Sequence, residues 1–204
     1  MRIDAPDGAG RRRPRFFNAA ARGALALAAM LASAPAAPGE LTEKITLCTS
    51  CHGDNGLPAD PAIPIIWGQE FYYLYVQLKD YKAQRRANPV MGGIVADLDK
   101  QQMQALAQHF SEQPWPQTGY ATPPDAVAPA RSGLVAGQCV QCHLGGYEGN
   151  SRVPRLAGQQ TTYLERTMTE FKTRVRLNSP AKGSLLAGYD DAVIATMAGY
   201  LGGL

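Results

Sequence analysis

Cysteine and histidine are scarce in this 204-residue chain, with four of the first and three of the second. Each can therefore be accounted for individually. Charge of one sign is also lacking: 20 basic residues face 17 acidic ones, a net +3. Residues 1–36 hold six arginines against two aspartates, so the remainder is close to −1, which argues against a nucleic-acid partner. No long apolar run exists. The longest uninterrupted one near the start, Ala24 to Ala32, falls short of the roughly 20 residues that a membrane span needs. No segment alternates apolar and polar residues convincingly enough to read as a strand.

What the first 36 residues do contain reads as a signal peptide. Arg11, Arg12, Arg13 and Arg15 form a basic region. An apolar run from Ala19 to Ala34 follows, broken only by Arg22 and Gly23, and Ala34-Pro35-Ala36 offers a small-residue cleavage site. The expectation is export to the periplasm, with an uncleaved anchor as the rival reading and peripheral membrane association compatible with either.

The cysteines fall into two identical settings. Cys48-Thr49-Ser50-Cys51-His52 recurs 91 residues later as Cys139-Val140-Gln141-Cys142-His143. Cys-x-x-Cys-His is the attachment sequence of a c-type haem. Two residues between the thiols let one helical turn offer both sulfurs to one porphyrin, and the adjacent histidine can bind the iron through a neutral nitrogen. A four-thiolate zinc site would place its pairs only about 15–20 residues apart. It would also leave both histidines unexplained, as a redox dithiol or a disulfide framework would. The pattern predicts two covalently bound haem c groups.

The motifs sit inside a longer repeat. Pro64-Ile65-Ile66-Trp67-Gly68-Gln69 matches Pro154-Arg155-Leu156-Ala157-Gly158-Gln159 at a shift of 90. Leu74, Leu78 and Tyr81 match Leu164, Met168 and Phe171. Met103, Leu106, Ala107 and Phe110 match Ile194, Met197, Ala198 and Leu201 at a shift of 91. This is duplication into two domains, not a solenoid of many short units. The expected division is a first domain at 37–112, a proline-rich extended linker at 113–130 and a second domain at 131–204. Each domain is expected to be all-α. A first helix ends at Cys-x-x-Cys-His, a second covers about Glu70 to Arg86, and a third is capped by Asp99 or by Asp190.

His52 and His143 are the expected iron ligands on one side. Pro64 and Pro154 follow them by 12 and 11 residues, the place from which a carbonyl accepts the other ring N–H in small cytochromes c. Trp67 reads either as a ring beside the first haem or as an ordinary core residue. On the far side, Met91 in Asn88-Pro89-Val90-Met91-Gly92-Gly93 is the expected sixth ligand of the first iron, a pairing that raises its potential. The matching segment, Asn178-Ser179-Pro180-Ala181-Lys182-Gly183-Ser184, has no methionine, and Lys182 stands at the position of Met91. Three readings stay open for the second iron: Lys182 as a neutral amine, an open position, or a core methionine, Met168 or Met197, swinging in. His109 lies in the wrong half.

Together the repeated Cys-x-x-Cys-His, the Pro-x-x-x-Gly-Gln segment, the Asn-Pro-x-Met loop and the capped last helix resemble the tandem di-haem class I cytochromes c of the cytochrome c4 type, over about Glu40 to Leu204. The di-haem subunit of flavocytochrome c sulfide dehydrogenase is similar too. The resemblance implies two tandem class I cytochrome c folds related by a pseudo-twofold axis. It also implies single-electron transfer in the periplasm between redox partners, such as a quinol-oxidising complex and a terminal oxidase. A dehydrogenase subunit, flavoprotein or quinoprotein, is the alternative partner. With the haem residues assigned, no catalytic constellation remains, so the chain reads as an electron carrier and not as an enzyme. Tyr72, Tyr73 and Tyr75 could form a docking patch or pack along a helix face.

A domain under about 80 residues has a thin core and commonly needs a staple, and here the haem serves as one. A chain expressed without haem attachment is expected to show no cooperative thermal transition by circular dichroism, in contrast to the haem-loaded protein.

Overall fold

The computed structural model describes residues 38–204, and the expected signal peptide at 1–36 lies outside the described residues. The chain folds into helices: α1 (Pro38–His52), α2 (Phe71–Lys82), α3 (Pro89–Val95), α4 (Lys100–Ser111), α5 (Pro124–Ala136), α6 (Val140–His143), α7 (Thr161–Lys172), α8 (Pro180–Leu186) and α9 (Asp191–Gly202). Among the described residues there is no strand, only an isolated bridge between Asn150 and Val153. No described helix is long and apolar enough to cross a membrane.

Two cores form, one per half. Leu74, Tyr81, Val95, Leu98, Met103, Leu106, Ala107 and Phe110 build the first. Leu134, Tyr147, Leu164, Phe171, Leu186, Ile194, Met197, Ala198 and Leu201 are among those that build the second. Helical spacing explains the choice. Met103, Leu106, Ala107 and Phe110 fall on one stripe of α4, and Ile194, Met197, Ala198 and Leu201 on the same stripe of α9. Asp99 starts α4 with a full capping box: its side chain accepts from Gln102 N, and Gln102 Oε1 accepts from Asp99 N. Asp190 holds the matching place before α9 but makes no capping bond, and only Asp191 in the first turn complements the helix dipole.

Three elements differ from expectation. The Met91 segment is not an open loop but the helical turn α3, started by Asn88, whose side chain accepts from Met91 N at 2.9 Å, with Pro89 preset in the first position. The stretch 113–130 is irregular only to Pro123. From Pro124 onward it is helix α5, which tolerates Pro124 at its first turn and carries Pro129 inside. Ala130, Gly133 and Leu134 of α5 are buried, and Gly133 lies against Met197 and Val193 of α9, so this face belongs to the second core. The second Cys-x-x-Cys-His does not end a continuous helix as the first does. A Schellman turn closes α5, with Cys139 N donating to Leu134 O (3.1 Å), Gln138 N to Val135 O (2.9 Å) and Gln138 left-handed at φ 52°; α6 then starts anew.

The halves meet through bonds that repeat in reverse. Gln159 clasps the backbone of Ile65, accepting from its N at 2.8 Å and donating to its O at 2.9 Å. Gln69 does the same to Arg155, at 2.8 and 3.0 Å. Tyr163 N donates to Pro61 O and Tyr73 N to Ser151 O, both at 3.1 Å. Each pair is related by a shift of 90, so the seam has the isologous form of a twofold dimer within one chain. Trp115, in the connecting segment, packs over the seam between Gly68 and Gly158. Both glycines are at positive φ, and both donate to the last turn of their own half's final helix, at Phe110 O and Leu201 O.

Ile65 is 1% exposed, so removing Gln159 would leave its N–H and C=O unpaired in the interior. Orphaned buried groups cost roughly 1–3 kcal/mol each. Gln159→Ala is expected to lower the denaturant midpoint of the haem-loaded protein, and more so than Gln69→Ala, whose Arg155 partner is less buried.

Candidate functional site

A cavity of about 720 Å³ runs between the halves. Cys48, Cys51, His52, Pro64 and Met91 line it from the first half, and Cys139, Cys142, His143, Pro154 and Lys182 from the second. Helix ends position these groups. The last turn of α1 presents the first motif and α6 the second.

Both imidazoles are oriented from behind. His52 Nδ1 lies 2.8 Å from Pro64 O and His143 Nδ1 lies 2.9 Å from Pro154 O. A carbonyl only accepts, so Nδ1 carries the proton and Nε2 keeps its lone pair. Burial pushes the His52 pKa down, and it brings His143 down to about 4, with the Lys182 charge adding a smaller push and the proline bond opposing. Both rings are thus neutral at ordinary pH, as an iron ligand must be.

The four cysteines are free, with Cys51 and Cys142 exposed and Cys48 and Cys139 half-buried. Burial, helped by Cys51, raises Cys48 to about 11, and burial raises Cys139. A redox dithiol needs the opposite shift. The pairs do not converge: among the described residues no three His, Cys, Asp or Glu side chains are grouped to hold a metal ion.

On the other walls, α3 and α8 face the same cavity. Met91 is half-buried, its backbone held by Asn88. Lys182 Nζ lies 5.3 Å from the centre of the Phe171 ring. Burial, then the nearby Arg176 charge, lowers its pKa to about 8. Met168 and Met197 also line the cavity. Met197 is 1% exposed, and its sulfur packs toward Gly133 of α5. An apolar slot of this size, walled by paired thiols, oriented neutral imidazoles, a thioether and an amine, fits two haems and their attachment chemistry.

Trp67 packs on the first core, and its buried indole N–H has no hydrogen-bond partner among the described residues. It does not line the cavity. Its ring lies against Gly56, at φ +80°, on the first core, while Ile65 and Ile66 of the same segment face the cavity. Of the three tyrosines, Tyr72 is 49% exposed, Tyr75 stacks on Phe71 at 6.4 Å, and Tyr73 turns into the seam.

Other seam residues carry no sequence motif: Gln77, Arg86, Tyr163 and Arg176. Arg86 Nη2 donates to Tyr163 Oη at 3.0 Å, and Arg176 Nη2 reaches Tyr73 Oη at 3.5 Å. The signal available was their register: Tyr73 and Tyr163, and Arg86 and Arg176, stand 90 apart like the glutamines.

No protein-family model matches the chain. Cytochrome c4 of Thiocapsa roseopersicina is 32% identical over 173 residues, covering 78% of this chain and 87% of that one. The thiosulfate dehydrogenase electron acceptor of Stutzerimonas stutzeri (strain A1501) is 28% identical over 173 residues, covering 75% and 76%. The crystal structure of reduced recombinant cytochrome c4 from Pseudomonas stutzeri superimposes with a TM-score of 0.74 at 27% identity, covering 81% of this chain and 97% of that one. Two helical halves, each offering a Cys-x-x-Cys-His to a common cavity, together with this identity over nearly the full length of a relative, establish that the chain belongs to the cytochrome c4 family of electron-transfer proteins, which carry two covalently bound haem c groups.

Proposed function

We propose that this chain is a periplasmic shuttle that takes single electrons from one redox partner and hands them to another in a respiratory chain. Each half holds one haem. The observation that carries the reading is the duplicated arrangement of thiol pair, histidine and proline carbonyl on the walls of one cavity. Each haem supplies an iron that changes valence by one electron. The residues do the rest. Cys48 and Cys51, and Cys139 and Cys142, would form the thioether links, and His52 and His143 would bind iron through Nε2. The prolines fix the ring planes, and apolar walls such as Ile65, Leu106 and Met197 keep water out, which limits reorganisation when charge changes.

Met91 would bind the iron of the first half and Lys182 that of the second; in support, Lys182 occupies the same turn of α8 as Met91 does of α3 and lines the same cavity. A quinol-oxidising complex and a terminal oxidase are the partner classes that suit a carrier.

A second reading has support of its own. The likeness to a thiosulfate dehydrogenase electron acceptor favours service as the accepting subunit of a dehydrogenase, with unequal haems. Copurification of a dehydrogenase with the tagged chain would favour that reading over a free shuttle.

Pyridine haemochrome analysis is expected to give two haem c per chain. Near-infrared magnetic circular dichroism of the oxidised protein is expected to show one histidine–methionine and one histidine–lysine haem. Lys182→Ala should abolish the second signature alone. Two histidine–methionine haems in the wild type would instead place Met168 or Met197 on the second iron, and a high-spin second haem would mean an open position.

A further inference from the structure

The second half moves a methionine and loses a helix cap in the same neighbourhood. In the first half α3 carries Met91 and α2 carries Leu78; at the matching places α8 carries Lys182 and α7 carries Met168. All four line the cavity. A nitrogen donor has taken the position of the thioether, and a thioether has appeared on the neighbouring helix.

The two donors share one wall. Lys182 Nζ lies 5.3 Å from the centre of the Phe171 ring. Met168 precedes Phe171 by three residues on α7, which puts both on one face of that helix. Helix α8 is pressed close to this wall: a Cβ on Gly183 would meet Phe171 O at 2.9 Å. Met168 is only partly buried against the second core. Met197, by contrast, is 1% exposed, and its sulfur is held against Gly133. Met168 is therefore the methionine of this half that can turn toward the cavity without emptying the core.

The element that carries the lysine is also less pinned than its twin. Asn88 holds α3 by accepting from Met91 N at 2.9 Å. The matching Asn178 does not cap α8. Its side-chain oxygen accepts from Arg176 Nε at 3.0 Å, and its Nδ2 donates to Gln77 Oε1 at 3.1 Å and to Asp80 Oδ2 at 2.8 Å. Ser179, at the start of α8, makes no side-chain cap bond either. A helix start without a cap leaves its first N–H groups unpaired and is easier to displace. Lys182 rides on such a turn, and Met91 does not.

Iron discriminates between these donors by its charge. Methionine opposite histidine raises a haem's potential, which by linkage means that a thioether holds ferrous iron better than ferric. An amine is the harder donor and favours the ferric state. We propose that Met168 is the second haem's sixth ligand in the reduced state and Lys182 in the oxidised state, the two exchanging with each electron. This rests on the two-haem reading above and on Lys182 as the ferric ligand. When one electron arrives from the redox partner, Lys182 releases the iron and its nitrogen lone pair takes up a proton from solvent. The Met168 sulfur then donates a lone pair in its place. Oxidation reverses each step. An electron so arrives at a low-potential centre and leaves from a high-potential one, and transfer through the second half waits on the swing of two side chains. Met91 imposes no such wait on the first.

Solution NMR of the fully reduced, haem-loaded protein with labelled methionine methyls reads the ferrous ligands, because a methyl held over a haem ring is shifted far upfield. Two such methyls are expected in the wild type. One is expected in Met168→Leu, which installs the residue that the first half has at that place. A single shifted methyl in the wild type overturns the exchange. A second methyl that survives Met168→Leu and disappears in Met197→Leu overturns it too. Protein-film voltammetry of the wild type should show peaks of the second haem that separate as the scan rate rises, and peaks of the first that do not. Lys182→Ala should remove that separation, because Met168 then stays bound in both states. If Met168→Leu does not load haem, the wild-type voltammogram still decides, and a second couple that is reversible at every scan rate overturns the proposal. Oxidised protein without a histidine–lysine signature sinks the ligand reading above, and this one with it. That signature beside a single shifted methyl sinks the exchange alone.

Discussion

Each half of this protein encloses space that its own side chains leave unfilled, and the rest of the architecture follows from how that space is held open. Protein interiors normally pack to the density of organic crystals. Here Leu106, Val95, Met197 and Leu201 are nearly inaccessible, yet Leu106, Val95 and their neighbours still face a cavity of about 720 Å³. The walls are kept apart by groups that cannot collapse into it. The histidines are tied back to Pro64 and Pro154, and the Met91 turn is held by Asn88. The seam is clasped by Gln69 and Gln159. Two rigid planar cofactors, each joined through two thioethers, are the kind of object such walls accommodate, and they complete the two thin cores.

The pseudo-twofold repeats the same devices in both halves, and it breaks at a few places. Equivalent turns deliver Arg86 and Arg176, and equivalent glutamines lock the seam. Departures fall on both sides of the second site. Asn88 caps its own helix, whereas Asn178 turns away to Asp80 and Gln77. The second half has Lys182 where the first has Met91. Helix α5 ends in a Schellman turn before its motif, whereas α1 runs straight through. The turn that leads into α8 is therefore tethered to the opposite half through Asn178.

Much of the fold was legible from residues alone. The 3.6-residue spacing of Met103, Leu106 and Phe110 and the Asp99–Gln102 pair announced α4, because amphipathic spacing and capping are local effects. The extent of the linker was less legible. Five prolines between 114 and 129 favour extended backbone by local preference, but burial of Ala130, Gly133 and Leu134 against α9 makes Pro124–Ala136 helical despite Pro129. Trp67 carried no local cue to separate a cofactor neighbour from a core ring. Only the tertiary structure brings its ring against Gly56.

The sequence by itself determined the chemistry that covalent bonding and short spacing govern: two Cys-x-x-Cys-His motifs, their trailing prolines, the repeat and hence two similar helical halves. It also showed that Lys182 replaces Met91. The tertiary structure alone decided what depends on bringing distant segments together. Arg86 meets Tyr163 across 77 residues, Arg176 meets Gln77 across 99, and Gln159 clasps Ile65 across 94. Arginine, tyrosine and glutamine are ordinary surface residues in a linear reading. They become a buried network only when two halves close and remove water from between them, and no local pattern encodes that desolvation.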